Sequence, residues 1–454
     1  MKIYAATDAS VRLVDAVDIA QAPRAGATSA VIGQHLKLST DDLATYFFAG
    51  WKPDLADLLV VAAAIEFCDF LVRCPSWGWA RTFDVRVAVH SPELWERPDV
   101  IDALQDAAGH LTGDLWRFSF VKRLVPLTAP KERMLDLGDR VDAVIPYSNG
   151  LDSRAVAALT ATDSKLVRVR LGAAPEDERR YSASGIPFKA VPFKVKLPRG
   201  RRNESSARSR GFKFAAVTAI AAHLAGAKQI IVTESGQGAL GPTLAVTGQS
   251  YPDYRVHPTF MVRMERLVAA LYGEAATFQF PRLWSTKGQT VLAASMLVGG
   301  AHLADTRSCW QQARQVGYRE KWRQCGVCAA CMLRRVSMHA ASIPEAADTY
   351  LYSDEASDLA TSGPNDLPPP SAAMRAYAIA GVLHLDHLAE MTLALHRPTL
   401  ARASAQTAEA MRIDRDAVAD RYQEVLSQHA EEWRAYRRSL PIDSFVNAIA
   451  QAPL

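Results

Sequence analysis

Four of the chain's six cysteines fall between Cys309 and Cys331, and this bunching constrains the fold more than any other feature. The order is Cys309, fifteen residues, then Cys325-x-x-Cys328-x-x-Cys331, inside the stretch TRSCWQQARQVGYREKWRQCGVCAACMLRR over residues 306–335. Four thiolates at this spacing suit a tetrahedral, closed structural Zn²⁺ site. Cys325 and Cys328 share one knuckle, Cys331 reaches back from the following turn, and no nearby histidine creates an open catalytic position. An iron–sulfur cluster is the alternative, because CxxCxxC also begins ferredoxin motifs, although the Cys-Pro ending is missing. The bunching disfavours a disulfide-framed secreted fold and points to a reducing compartment. Cys68 and Cys74 have no partner at ligand spacing and read as ordinary buried thiols.

At 454 residues the chain is long enough for two to four domains. With 22% charged and 49% hydrophobic residues it is globular rather than disordered. A net charge of +4 is too small to imply nucleic acid, and no nucleic-acid contact is expected. The 39 Arg against 13 Lys read as composition bias, with Arg also suited to bidentate anion binding. Residues Met1–Ser10 show no basic-then-apolar leader. The most apolar run, Leu58–Val72, is interrupted by Glu66 and Asp69 and is too short to span a bilayer. The expectation is a cytoplasmic protein with no membrane contact.

Along the chain, Asp54–Val72 has helical apolar spacing, Arg81–His90 alternates like a half-buried strand, Pro98–Leu111 reads as a helix, and Asp114–Lys122 alternates again. This predicts a small α+β domain over residues 1–125, with Trp116, Phe118 and Phe120 facing its core. From 126 to 345, strands and helices alternate: Val141–Tyr147, Leu151–Ala161, Leu166–Leu171, Phe212–Ala225 and Gln229–Thr233. Such alternation implies a parallel sheet covered by helices, with ligands beyond the carboxyl ends of the strands. Ser353–Ala372, with its Pro368-Pro369-Pro370 run, reads as a linker or long loop, and residues 373–454 as three or four helices. Near the end, Trp433, Tyr436, Arg437 and Arg438 fit a partner contact or a bundle core equally well.

The segment Tyr147-Ser148-Asn149-Gly150-Leu151-Asp152-Ser153 follows a strand and opens a helix. A small glycine-bearing turn there exposes backbone N–H groups and the positive helix end to an anion. Ser148 and Ser153 add hydroxyls, and Asp152 offers an oxygen ligand for a Mg²⁺ that would neutralise phosphates. An ordinary N-cap turn is the alternative, since Asp and Ser are common caps. The Walker A spacing is absent.

These residues resemble the SGGxDS signature of the PP-loop ATP pyrophosphatases, with Asn149 in place of a glycine. Together with the Cys-(x15)-CGxCxxCxLRR motif, the loop is similar to that of the QueC family of 7-cyano-7-deazaguanine synthases. Other pieces keep the same order. Arg210 stands where the family has an Arg before a long helix, Tyr251-Pro252-Asp253-Tyr254-Arg255 resembles its YPDCR segment, and Pro281-x-Leu283 with Thr286-Lys287 resembles its TPL…K segment. The resemblance covers about residues 140–340. It implies an α/β architecture: a parallel-sheet PP-loop core over 126–345 with a four-cysteine zinc motif, an N-terminal α+β domain over 1–125, and a linker with a C-terminal helical domain over 346–454.

The resemblance further implies a C–N bond-forming ligase that adenylates the carboxylate of 7-carboxy-7-deazaguanine and hands it to an amine. Residues 147–153 would bind ATP, with Ser148, Asp152, Ser153 and Lys287 catalytic. Arg210, Tyr251, Asp253 and Arg255 would bind the deazaguanine, and Cys309, Cys325, Cys328 and Cys331 would hold structural Zn²⁺. Departures cluster near the expected substrate pocket: a longer loop from Glu234 to Ser250, Gly211 where the family has Asn, and Tyr254 for Cys. The two extensions resemble the long QueC-like proteins of bacterial anti-phage systems, QatC and type IV CBASS. That layout implies a protein amine as acceptor. The alternatives are a synthase making the free nitrile with ammonia, and an inactive scaffold. A homodimer is compatible with each.

Overall fold

The computed structural model describes residues 11–38, 52–74, 80–125, 141–161, 165–171, 190–191, 193–200, 202–204, 207–247, 251–311, 316–319 and 321–450. Residues 1–10, the start of the core segment at 126–140, Arg201 and the end of the 234–250 loop lie outside the described residues. The chain divides into two compact units interleaved in sequence. The first holds Met1–Pro146, Ser164–Ile231 and Asp253–Gln279, and the second holds Tyr147–Asp163, Val232–Pro252 and Phe280–Leu454.

The first unit begins with β1 (Arg12–Ala16), β2 (Thr28–Ser29), α1 (Pro53–Leu71), β3 (Thr82–Val89), α2 (Pro98–Thr112) and β4 (Leu115–Lys122). The strands pair in the order β2-β1-β3-β4, and every pairing is parallel. This is an α/β arrangement, where the strand–helix–strand pattern predicted α+β. Alternation alone cannot give strand direction; the crossover helices α1 and α2 do. As expected, Trp116, Phe118 and Phe120 share the buried side of β4, and Trp116 stacks on Phe83 at 4.7 Å.

Helix α1 is buried almost throughout, including Glu66 and Asp69, which interrupt its apolar run, and Asp57 just before that run. Each has a partner, as burial demands. Asp57 Oδ1 lies 2.6 Å from His90 Nδ1, Glu66 pairs with Lys213, and Asp69 pairs with Arg81 at 2.8 Å. Cys68 is buried and Cys74 half-buried; burial raises both thiols, Cys74 to about 11, in keeping with inert structural thiols.

The core sheet uses β5 (Ala143–Pro146), followed in sequence by α3 (Leu151–Thr160), then β6 (Leu166–Leu171), β7 (Ala190–Val191), α4 (Arg210–Ala225), β8 (Gln229–Ile231), α5 (Pro258–Tyr272) and β9 (Thr277–Gln279). Its order is β9-β8-β5-β6-β7, parallel throughout. Ala143, Val144 and Ile145 are fully buried, as a central parallel strand requires. The chain runs from β5 outward to β6 and β7, then returns to β8 and β9 on the other side. The order therefore reverses at β5, and ligands on such sheets bind beyond the carboxyl end of the strand at that reversal. Pro146, the last residue of β5, leads directly into the 147–153 loop.

The second unit contains α3 and then α6 (Lys287–Val298), α7 (Ala329–Ala340), α8 (Ala372–Glu390), α9 (Arg397–Met411) and α10 (Arg415–Ser439). The segment Glu234–Ser250, read as a loop, carries two one-turn helices at Gly236–Ala239 and Gly241–Leu244. Ser353–Ala372 is a long loop rather than a free linker, because Leu359 is buried with Leu351 and Tyr352 against the cysteines. Trp433 and Tyr436 belong to that same core, and Trp433 Nε1 donates to Asp386 Oδ1 at 2.8 Å. Arg437 is also buried beside Asp386 while Arg438 is exposed, so packing accounts for this cluster. Among the described residues, no single helix is long and apolar enough to cross a membrane.

Candidate active site and metal centre

The 147–153 loop is closed by its own serines. Ser153 Oγ accepts from Ser148 N–H at 3.1 Å and lies 3.0 Å from Ser148 Oγ, which accepts from Gly150 N–H at 3.0 Å. Gly150 is the N-cap of α3, and an added Cβ would sit 3.0 Å from Ser148 Oγ, so glycine keeps the turn tight. Asn149 does not have a positive φ, so the loop places no left-handed residue there. Instead its Oδ1 accepts from Arg154 Nη2 at 2.5 Å and its carbonyl accepts from Arg307 N–H at 2.8 Å. Leu151 is fully buried with Ala155, Val291 and Ala294, anchoring the start of α3. The N–H groups of that first turn have no partner within the helix, which suits them to an anion.

Asp152 and Lys287 meet: Lys287 Nζ lies 2.6 Å from Asp152 Oδ2, with side chains 6% and 17% exposed respectively. The other oxygen, Asp152 Oδ1, is buried and has no hydrogen-bond partner. A bare, buried carboxylate oxygen is donor chemistry that a hard cation such as Mg²⁺ takes. Lys287 is the first residue of α6, whose cap is a full box: Thr286 Oγ1 accepts from Gln289 N–H at 3.1 Å, and Gln289 Oε1 accepts from Thr286 N–H at 2.9 Å. Its backbone N–H donates to Gln237 Oε1 at 2.5 Å, Gln237 faces His429, and Thr286 Oγ1 donates to Glu432 Oε1 at 2.5 Å. Sequence reading missed Gln237, His429 and Glu432. The Thr-x-x-Gln cap was the one legible signal.

The four cysteine sulfurs lie within 4.8 Å of one another, three of them buried. All are free thiols. Cys309 Sγ accepts from Cys325 N–H at 3.2 Å and from Gln311 N–H at 3.3 Å, and Cys325 Sγ accepts from Cys328 N–H at 3.3 Å. Hydrogen bonds from the Cys325, Cys328 and Cys331 thiols pull Cys309 well below its ordinary range. Four crowded sulfurs with N–H groups aimed at them fit a four-thiolate metal site of the Zn²⁺ type. The two arginines after Cys331 clip the knuckle in place. Arg334, fully buried, bonds Thr306 Oγ1 at 2.6 Å and the Ala304 carbonyl at 2.8 Å, while Arg335 bonds the Gly326 and Tyr352 carbonyls at 3.1 and 2.8 Å. Residues 306–309 thus run from the metal site to Arg307, which holds Asn149.

The expected substrate residues do not gather as simply. Arg210, Asp253 and Arg255 belong to the first unit and Tyr251 to the second. Arg255 Nε lies 2.8 and 2.7 Å from the two oxygens of Asp253, so the pair satisfies itself. Arg210 is exposed at the start of α4, 5.5 Å from the Phe214 ring. Other basic residues close to Arg210 in sequence serve structure: Arg202 covers the Phe70 ring at 3.7 Å, Arg208 bonds the Thr112 carbonyl, and Lys213 pairs with Glu66.

Residues 208–342 match the family model of the queuosine biosynthesis protein QueC. The protein is QueC-like. Over 197 residues it is 26% identical to a 7-cyano-7-deazaguanine synthase of Aromatoleum aromaticum (strain DSM 19018 / LMG 30748 / EbN1), covering 42% of this chain and 76% of the relative. Two departures of the QueC-like domain now have physical reasons. An added Cβ at Gly211 would lie 2.7 Å from the Arg255 carbonyl oxygen and 2.8 Å from its Cα, so a side chain there is excluded. Tyr254 packs on His110 of α2 at 4.3 Å, and His110 Nε2 lies 2.9 Å from Thr259 Oγ1. Helix α2 therefore packs beside Tyr254 within the first unit.

Proposed function

We propose that the chain is an ATP-dependent ligase that adenylates the carboxylate of 7-carboxy-7-deazaguanine with release of pyrophosphate. It then passes the acyl group to an amine with release of AMP. The observation that carries this reading is Asp152: one oxygen is on Lys287 and the other is buried and bare, in the first turn after a serine-closed loop. A carboxylate becomes an electrophile only when one oxygen leaves with a good group, which requires a phosphate cradle and fixed positive charge. Ser148, Ser153 and the backbone of residues 147–152 supply the cradle, and Lys287 supplies charge. Asp152 would hold the Mg²⁺ that travels with ATP and neutralises its phosphates. Arg210 and Arg255 take the acid group of the substrate and Asp253 and Tyr251 its polar edge, so the Asp253–Arg255 fork opens on binding. Cys309, Cys325, Cys328 and Cys331 hold structural Zn²⁺ in a reducing, cytoplasmic setting.

The acceptor in this reading is a protein amine, in an anti-phage defence role. About 125 residues precede the core and more than 100 follow the cysteines, and a macromolecular acceptor needs docking surface. A second reading, the free nitrile made with ammonia and a second ATP, is favoured by the similarity to the 7-cyano-7-deazaguanine synthase of Aromatoleum aromaticum. Incubation of the chain with Mg–ATP and the deazaguanine acid tests the common step through pyrophosphate release. No release, with loaded metal and folded protein, sinks both readings in favour of a scaffold. Adding ammonium in one arm and proteins encoded beside the gene in another, each followed by mass spectrometry, separates the acceptors. A nitrile mass in the first arm with no mass shift on protein in the second overturns the defence reading.

A further inference from the structure

Helix α10 lies wholly beyond the residues matched by the QueC family model, yet it is built into the backing of Lys287. We infer that α10 is a positioning element of the ATP site, acting on Lys287 through His429–Gln237 and through Glu432–Thr286. The inference rests on the reading of Lys287 as an ATP-site residue.

The first link has its donors and acceptors fixed by chemistry. His429 is fully buried, and its Nε2 lies 2.8 Å from the Leu385 carbonyl, which can only accept. Nε2 therefore carries the hydrogen. Burial pushes the imidazole down to about 4, so the ring is neutral near pH 7 and Nδ1 is a bare acceptor. Gln237 Nε2 lies 2.9 Å from it and donates. That fixes the amide orientation and leaves Gln237 Oε1 to accept from the Lys287 N–H at 2.5 Å. A flipped amide would oppose donor to donor at Lys287 and acceptor to acceptor at His429.

The second link sits one residue earlier. Thr286 Oγ1 caps α6 and in the same geometry donates to Glu432 Oε1, one turn further along α10 from His429. Gln428 Nε2 reaches the same oxygen at 3.2 Å. Residue 288 completes the fit, since an added Cβ would lie 2.9 Å from Glu432 Oε1 and 2.8 Å from Ala340 Cβ, so only glycine lets α10 approach. Three consecutive residues, 286 to 288, are thus set by one face of α10, and the middle one carries the ammonium on Asp152.

The test uses the full-length, metal-loaded chain and Mg–ATP as the probe. It combines amide hydrogen exchange of the peptide spanning 283–292 with calorimetric ATP affinity, neither of which needs the acyl substrate. His429→Leu is expected to speed exchange of the Lys287 amide by about tenfold or more while the end of α6 is unchanged. It should weaken ATP binding by roughly tenfold. His429→Asn, which keeps an acceptor for Gln237, should recover both. If His429→Leu fails to fold, Gln237→Met provides the same two readouts. Wild-type exchange and affinity in a folded His429→Leu or Gln237→Met protein, beside weakened affinity in Lys287→Ala, overturn this inference alone. Wild-type ATP affinity in Lys287→Ala overturns the reading of Lys287 and this inference with it.

Discussion

Removing Asp152 should cost the second unit stability as well as activity, and the size of that cost follows from the pair's geometry. At 2.6 Å the Lys287–Asp152 contact is worth about 6 kcal/mol of gross attraction at an effective dielectric near 20. Most of that offsets the desolvation of two groups that are 6% and 17% exposed. Deleting one partner is different, because it strands the other charge, and such deletions cost about 3–5 kcal/mol. Against a typical total of about 5–15 kcal/mol, Asp152→Ala should remove a large share and lower Tm by on the order of 10 °C. Lys287→Met should be milder, since Asp152 retains more solvent. The double variant Asp152→Ala/Lys287→Met should return to within about 1 kcal/mol of wild type, because a matched apolar pair no longer buries a lone charge. Urea unfolding followed by tryptophan fluorescence measures all four corners of the cycle. Both single variants and the double should lose ATP binding. Costs that simply add in the double variant would refute the electrostatic argument, as would an Asp152→Ala protein as stable as wild type.

Three further outcomes are expected. The purified chain should carry one equivalent of zinc, and strong chelation should unfold the Trp433–Tyr436 core around Cys325, Cys328 and Cys331, since structural zinc contributes about 10–16 kcal/mol in small domains. Metal analysis with near-ultraviolet circular dichroism checks this, and a chelated protein with unchanged melting contradicts it. Gly211→Ala should drive a Cβ into the Arg255 backbone, costing about 1–3 kcal/mol and weakening deazaguanine binding more than ATP binding. Calorimetry with each ligand decides between that and a neutral effect. Asp69→Ala should cost about 3 kcal/mol in urea unfolding, because it strips one partner from buried Arg81 and leaves the Ser209 N–H and hydroxyl at the head of α4 without their acceptor. An unchanged midpoint would show that Arg81 needs only Asp114.

Local signals in the sequence were read correctly where the physics is local. The strand–helix alternation gave the parallel core because βαβ connections leave a periodic trace, and the cysteine spacing gave the cluster of four sulfurs because one knuckle and one turn span it. Strand direction in the N-terminal region was not legible, since alternation is the same in either sense. The loop at 147–153 was identified from its residue types. The reason Asn149 is tolerated was not, because Arg154 and Arg307 reach it from other elements.

By itself the sequence determined which residue types stand where a site could be built: the hydroxyls, the carboxylate and the lysine of one candidate site, and the thiols of another. Composition and short-range spacing settle such things, because ligand and nucleophile types are properties of side chains. Only the tertiary structure decided what each one does now. It set Lys287 on Asp152 and left Oδ1 bare. It turned Asp253 and Arg255 toward each other. It also brought Glu432 and His429 of α10, 146 and 192 positions away in sequence, against Thr286 and Gln237. Those pairings depend on burial, which forces every polar group to find a partner wherever the chain happens to supply one, and no window of sequence records that search.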